Sequence, residues 1–450
     1  MRIRAFARQL CVDEAWQGRV LIGLVLAMAV VHVGGILWTS GRQGPFVQGD
    51  ARSYFAYLPS LVLDGDIDLR NQFAELQPEG ASEYPFGVGF QDRAQNPFPI
   101  APALMWLPGY VVGLGLDAAS DGTAPGGQPL GYGMGAALAT AVWSILLVAL
   151  GAEATRRLVR ACVGVPEAFA ATIMAWLGTP ALYYTVISPL YSHAPAWVAV
   201  SLMLLLTWRA AHERTGVALW AAAGGAAGWV VAVRLQDVPL VVIPLAVLGT
   251  TLAHGTDRRK ALLLAAAWLS AACAAYMVQG VTWYWLHGVW VPFGGTAAMA
   301  APTLSNLAGI LFSVGYRGWI SWTPIVLPGV VGLGLLARRG DSQTARRFAL
   351  WGIVGLLGMV TVDLLHPFGA GAAFGGRRYV SATPLIALGL GTLLDRAMMA
   401  RTRAVAWVAL PVLTVWALWL LLSYELLIIR HGLYPTLLET IRYAVGLGVG

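Results

Sequence analysis

The run Val20-Leu21-Ile22-Gly23-Leu24-Val25-Leu26-Ala27-Met28-Ala29-Val30-Val31-His32-Val33-Gly34-Gly35-Ile36-Leu37-Trp38 is followed closely by Val47-Gln48-Gly49-Asp50-Ala51-Arg52-Ser53-Tyr54-Phe55-Ala56-Tyr57-Leu58. The first stretch is predominantly apolar, and crossing a bilayer as a helix takes about 20 such residues. The second opens a long, polar, Pro-rich segment that lasts until the chain turns apolar again near Gly131. Connections between elements usually need only a few residues. A long first loop that begins with a carboxylate at the membrane surface therefore points to a site built at that surface.

The composition agrees with a chain dissolved in lipid. Of the 450 residues, 58% are hydrophobic and 11% are charged, against about 25% charged in a soluble domain. The expectation is one all-α polytopic membrane domain over residues 1–450, with a first outer loop at 40–130 and an amphipathic C-terminal tail at 426–450. No small-residue cleavage site follows Val20–Trp38, so that run reads as a span rather than a signal peptide. The net charge of +7 is explained by where the Arg residues lie, and nucleic acid is not expected as a partner. Cys11, Cys162 and Cys273 have neither metal-ligand spacing nor a disulfide framework.

Eleven apolar runs are candidate spans: Val20–Trp38, Gly131–Gly151, Ala168–Ile187, Ala194–Trp208, Val217–Val233, Val238–Ala253, Ala261–Trp283, Ile320–Leu336, Phe348–Leu365, Pro384–Leu394 and Val405–Leu422. Basic residues orient such spans with the positive loops in the cytoplasm. With the N-terminus inside, nineteen of the 29 basic residues fall on inner loops, among them Arg156-Arg157, Arg258-Arg259-Lys260 and Arg346-Arg347. This count requires that Phe98–Leu116, interrupted by Pro99, Pro102 and Pro108, stay in the first outer loop as an interfacial or re-entrant helix. A true crossing there is the alternative.

The outer side then collects the chemistry. Asp50, Arg52 and Tyr54 come first, followed by Asp64, Asp66 and Asp68. Ser188 to His193, Arg234-Leu235-Gln236-Asp237, Arg317, His366 and Gly375-Gly376-Arg377-Arg378-Tyr379 follow. Ionisable groups at membrane depth are costly and usually paired or functional. One carboxylate with several Arg suits proton abstraction beside a phosphate. Each element also has a structural reading. Asp50 can cap a helix starting at Ala51. Arg377 and Arg378 can meet lipid headgroups. Arg234 and Asp237 can close a hairpin as an ion pair. His193 can be a satisfied structural residue. The Asp64–Asp68 run reads more as a solvated turn than as a cation loop.

In layout the chain resembles the GT-C class of integral-membrane glycosyltransferases. Within it, the chain is similar to bacterial polyprenyl-phosphate-sugar-dependent enzymes such as the aminoarabinose and protein-mannosyl transferases. The resemblance rests on Gly49-Asp50 with Tyr54 at the start of the first outer loop and on the stretch Asn96 to Pro108. It also rests on Arg156-Arg157 after the second span and on the late Gly375–Tyr379 motif. The chain shows no large C-terminal soluble domain, so acceptor-binding features of larger members do not carry over.

The resemblance implies an inverting sugar transfer at the outer face of a bacterial cytoplasmic membrane. The donor is a polyprenyl-phosphate sugar and the acceptor a cell-envelope glycan, lipid or protein. Asp50 is then the general base. Arg234, Arg377 and Arg378 hold the donor phosphate, and Tyr54, His193, Gln236 and Arg317 line the substrate. No cofactor is implied, and a divalent cation is not required. Three other functions fit the residues: a transporter or flippase of a lipid-linked sugar, a polysaccharide ligase using outer Arg and His, and a non-catalytic assembly subunit.

Overall fold

A computed structural model describes residues 13–39, 47, 49–76, 83–119, 128–213, 216–253, 257–291, 303–313, 317–365, 374–396 and 400–425. The expected tail at 426–450, Cys11 and His366 lie outside these. Among the described residues the structure is helical with no strand; Val88 and Ala94 form an isolated bridge. The first long helix is α1 (Glu14–Thr39), and the long segment after it contributes α2 (Asp50–Phe55) and α3 (Ala101–Ala119). The bundle continues with α4 (Met134–Arg160), α5 (Val165–Leu177), α6 (Ala181–Val186), α7 (His193–Glu213), α8 (Val217–Val233) and α9 (Val242–Ala253). It closes with α10 (Arg258–His287), α11 (Val326–Arg339), α12 (Gln343–Leu364), α13 (Thr383–Arg396) and α14 (Ala400–Glu425).

Every one of the eleven apolar runs is helical, but among the described residues only seven helices are long and apolar enough to cross a membrane. These are Glu14–Leu37, Met134–Arg160, His193–His212, Leu235–Ala253, Arg258–His287, Gln343–Leu364 and Ala404–Tyr424. The multi-pass, all-α class is therefore shown, while the count of eleven is not. The difference has local causes. Gly178, Thr179 and Pro180 split the run Ala168–Ile187 into the 13-residue α5 and the 6-residue α6. Thr323-Pro324 divide Ile320–Leu336 into a turn at Trp319–Trp322 and the 14-residue α11. A Pro lacks the N–H that would continue the helix. The segment Phe98–Leu116 appears as α3, which is not among the seven.

Small residues bring the helices together. A Cβ built on Gly224 or Gly228 of α8 would lie 2.1 or 2.0 Å from the Trp268 or Ala272 carbonyl oxygen of α10. Gly329 and Gly332 of α11 meet Gly389 of α13 at similar closeness. Such contacts let backbones approach where lipid removes the usual hydrophobic drive between helices. The innermost helix is α13, whose Leu385, Ile386, Leu388, Leu390 and Leu394 are buried. By contrast α10 exposes Leu262, Leu263, Leu269 and Val281, as an outer helix facing acyl chains would.

The two ends of the bundle differ. At one end Arg156 of α4 bonds Gln17 of α1 and Glu153, and Arg160 pairs with Glu14. At the other end the long segment between α1 and α4 builds a small core of its own, with Phe55, Tyr57, Leu58, Phe73, Trp106 and Tyr110 buried over the start of α4. Asp117 at the end of α3 accepts hydrogen bonds from the N–H groups of Gly135 and Ala136, tying α3 to the first turn of α4. Both carboxylate oxygens satisfy donors that a helix start leaves open.

Candidate active site

The chain reaches α2 through Gly49, whose φ of +59° favours glycine, and Gly49 is the N-cap. Asp50 is the first helical residue, and the N-cap residue itself supplies no side-chain cap. The capping position considered for Asp50 is therefore held by Gly49, and the Asp50 carboxylate accepts from Arg377. The Arg52 Nε donates to the Val47 carbonyl at 3.1 Å and closes the turn. The far side of α2 is pinned twice. The Tyr54 hydroxyl bonds the Ser192 hydroxyl at 2.7 Å, and Asn96 Nδ2 donates to the Ser53 carbonyl at 2.9 Å. The Tyr54 ring packs edge-on against Phe98 and Trp106.

Arg377 arrives from the other end of the sequence. It opens a 3₁₀ turn, Arg377–Ala382, that leads into α13. Its Nη1 donates to Asp50 Oδ2 at 2.9 Å, across 327 residues of chain. The two side chains retain 23% and 35% of their exposure, so the pair is accessible at the surface of the protein. Burial works against the Arg377 charge, but Tyr184, Asp50, Tyr191 and Tyr54 around it outweigh that and hold the guanidinium firmly cationic. Burial pushes the Tyr54 hydroxyl up to about 12, against the Ser192 hydrogen bond. Burial, with the Asp50 carboxylate adding to it, pushes Tyr191 up to about 12 as well. Neither phenol ionises near neutrality, so both act as hydrogen-bonding groups and the carboxylate remains the group fitted to accept a proton.

The two glycines before Arg377 approach protein. A Cβ on Gly375 would lie 2.9 Å from the Pro180 ring, and one on Gly376 would lie 3.0 Å from Trp319. They let the turn pack between α6 and the Trp319 turn, and so fix where Arg377 emerges. Arg378 points differently. It pairs with Asp363 at the end of α12, and Tyr379 donates to the second Asp363 oxygen at 2.9 Å while stacking on Trp319. Adjacent arginines thus have separate employment, one at Asp50 and one at Asp363.

Arg234 ends α8 and is buried. Its Nη2 donates to Gln236 Oε1 at 2.6 Å and its Nη1 to the Arg378 carbonyl at 3.4 Å. The expected pair with Asp237 is loose, at 3.9 Å, because Asp237 Oδ1 takes the Ser381 hydroxyl at 2.8 Å. His193 begins α7 and is buried, its ring 4.3 Å from Tyr184 and stacked with Tyr191 at 6.1 Å. Its Nδ1 has no hydrogen-bond partner among the described residues. Arg234, Arg377 and Arg378 all lie within electrostatic reach of the imidazole. Arg317, in a left-handed conformation with φ +58°, lays its guanidinium over the Tyr424 ring at 5.5 Å.

Of the residues singled out in the sequence, Asp50, Tyr54, His193, Arg234, Gln236, Arg377 and Arg378 gather at one end of the bundle, while Arg317 engages α14. The Asp64–Asp68 run is a stapled turn. Asp64 accepts from Asn71 and Gln72, Asp66 from Ser60, and Asp68 holds Arg70, whose hydrogen bond keeps its carboxyl below the usual range. No group of three or more His, Cys, Asp or Glu converges on a metal position among the described residues. Asp363 and Ser381 were not anticipated. Asp363 is a lone carboxylate at the end of an apolar run, and that isolation was its signal. Compared with known proteins, the chain matches no family model and no curated protein.

Proposed function

We propose that this chain is an inverting glycosyltransferase. In this reading it moves a sugar from a polyprenyl phosphate to a hydroxyl of a cell-envelope acceptor, at the outer face of a bacterial cytoplasmic membrane. The observation that carries the reading is the Asp50–Arg377 pair, a half-exposed carboxylate held at 2.9 Å by a guanidinium, with the buried Arg234 and the start of α7 grouped at the same end. Asp50 removes the proton from the acceptor hydroxyl as its oxygen attacks the anomeric carbon. The bond from that carbon to the phosphate oxygen breaks on the opposite face, and the polyprenyl phosphate leaves with the electron pair. Arg377 and Arg234 offset the charge that develops on it, and fixed cations at developing charge are often the largest catalytic contribution. Arg378, occupied by Asp363 and Tyr379, acts chiefly by holding the turn that carries Arg377.

The same proposal includes the finer topology. The shorter α5–α6, α8, α11 and α13 also cross, giving eleven passes with a cytoplasmic N-terminus and the Asp50 end outside. The alternation of helix directions supports it. The starts of α4, α7 and α13 and the ends of α8, α10 and α12 carry or adjoin the outer group, whereas Glu14, Arg156 and Arg160 meet at the other end.

The test is sugar transfer by purified protein from polyprenyl-phosphate sugars extracted from the source membranes, with Asp50→Asn beside it. Loss of transfer in Asp50→Asn, with donor binding kept, supports the reading; wild-type turnover in that variant removes it. The ligase reading has one observation in its favour, the unpartnered His193 Nδ1 among three arginines. It requires His193→Ala to abolish transfer and Asp50→Asn to keep it.

A further inference from the structure

The proposed base sits on a six-residue helix without a side-chain cap of its own. Something else must fix it, because the first N–H groups of a helix have no partner inside it. An oxygen from outside the helix meets that start: the hydroxyl of Tyr191, from the loop that leads into α7. A Cβ built on Gly49 would lie 2.6 Å from the Tyr191 hydroxyl oxygen and 3.8 Å from Cζ, so the phenol tip rests on the Gly49 backbone. The hydroxyl is also in hydrogen-bonding contact with the backbone of Asp50. The ring is held by others: it stacks on His193 at 16° between planes and tilts against Tyr184 at 5.7 Å. Its neighbour Ser192 binds Tyr54 on the same helix. The segment Tyr191-Ser192 therefore grips α2 at both ends, one hydroxyl at each.

We infer that Tyr191 is a positioning residue for Asp50: its hydroxyl caps α2 from outside and, seated against Gly49, aims the Asp50 carboxylate at Arg377 and the reacting hydroxyl. Gly49 is the other half of the device. A side chain there would collide with the hydroxyl, and the positive φ would be strained for it. This inference rests on the transfer reading above only for its kinetic part; the contact itself is testable without it.

The experiment is a double-substitution cycle of Tyr191→Phe and Gly49→Ala in the full-length protein in detergent, read by thermal midpoint and by transfer. Tyr191→Phe keeps the ring stacks and removes one oxygen. Turnover per bound donor should fall roughly tenfold to a hundredfold, as expected of a base displaced by a fraction of an ångström, with KM for donor changed less than about twofold. Gly49→Ala should be worse in the wild-type background than in Tyr191→Phe, since the oxygen it collides with is gone. The combined loss should therefore be smaller than the product of the two, in midpoint as well as in turnover. A structural role alone would lower the midpoint and the number of donor-binding sites but leave turnover per site intact. Wild-type turnover per site in Tyr191→Phe, a raised KM with unchanged turnover, or strictly multiplying effects would each overturn the inference. If the wild type transfers no sugar, the functional reading fails, and the midpoint cycle alone decides whether Tyr191 and Gly49 are coupled.

Discussion

Arg377 Nη1 lies 2.9 Å from Asp50 Oδ2, joining the late 3₁₀ turn to the helix that opens the first outer loop. Both groups keep contact with solvent, so the pair contributes little to stability, about 0–1 kcal/mol by comparison with exposed ion pairs. Asp50→Asn should therefore leave the thermal midpoint nearly unchanged while lowering transfer by at least about a hundredfold, the low end of what a positioned base supplies. Arg377→Lys should lose less than Arg377→Ala, because an ammonium keeps the charge and loses the fork. Donor saturation curves in detergent check this; unchanged curves for both Arg377 variants would take Arg377 out of the donor site.

Arg378 should behave differently from its neighbour. Removing it leaves Asp363 without its cation in a partly buried position. Breaking a buried pair by one partner is strongly destabilising, and partial exposure reduces this to about 2 kcal/mol. Thermal unfolding should show Arg378→Ala well below Arg377→Ala, with most of the loss recovered in Arg378→Ala/Asp363→Asn.

Tyr54 gives a pH prediction. Its hydroxyl is pushed up to about 12 by burial, against about 10 in an unfolded chain. The native state thus keeps a proton that the unfolded state gives up. The corresponding stability is complete below pH 10 and is lost as pH rises through about 12. Tyr54→Phe should flatten the fall in stability between those limits and remove one late-titrating phenol from the ultraviolet titration. Below pH 10 the shape of the activity profile should be the same in both proteins.

Packing of the inner helices can be tested at glycine. A Cβ on Gly389 would stand 1.7 Å from the Gly329 carbonyl oxygen, whereas one on Gly249 would have nothing within 4 Å. Gly389→Ala should destabilise by about 1–3 kcal/mol through forced separation of α11 and α13. Gly249→Ala should be neutral or stabilising by up to about 1 kcal/mol, since Ala is the better helix former. Equal midpoints for the two variants would contradict the close approach of α11 and α13.

The orientation predicts labelling. Single cysteines at Asp68 and Arg93 should react with an impermeant maleimide added outside intact cells, and cysteines at Arg157 and Arg259 only after permeabilisation. Labelling of Arg157→Cys from outside would reverse the bundle and put Asp50 in the cytoplasm.

The helical class was readable because apolar runs separated by basic loops leave few alternatives in lipid. The number of long helices was not, because hydropathy averages over breaks. Val165–Leu177 and Ala181–Val186 form one apolar run, yet Pro180 and its neighbours divide it. At the site, the residue types were legible and their partners were not. Arg377-Arg378 reads as a double charge, while the tight turn sends one guanidinium to Asp50 and the next to Asp363. Likewise Arg234 and Asp237 have the spacing of an ion pair, but Ser381, distant in sequence, takes the nearer Asp237 oxygen. The paired glycines before Arg377 do not show in the sequence what they pack on, which is Pro180 and Trp319.

The 327 residues between Asp50 and Arg377 also set a schedule for biosynthesis. At about 5–20 residues per second, Asp50 leaves the ribosome roughly 15–65 s before its partner is made. During that interval α2 has been made with its carboxylate unpaired, and most of the bundle is synthesised after it. The Asp50–Arg377 pair cannot form on a growing chain, however many helices have already been made. A chain stalled before the turn at Arg377–Ala382 would carry Asp50 without its guanidinium partner.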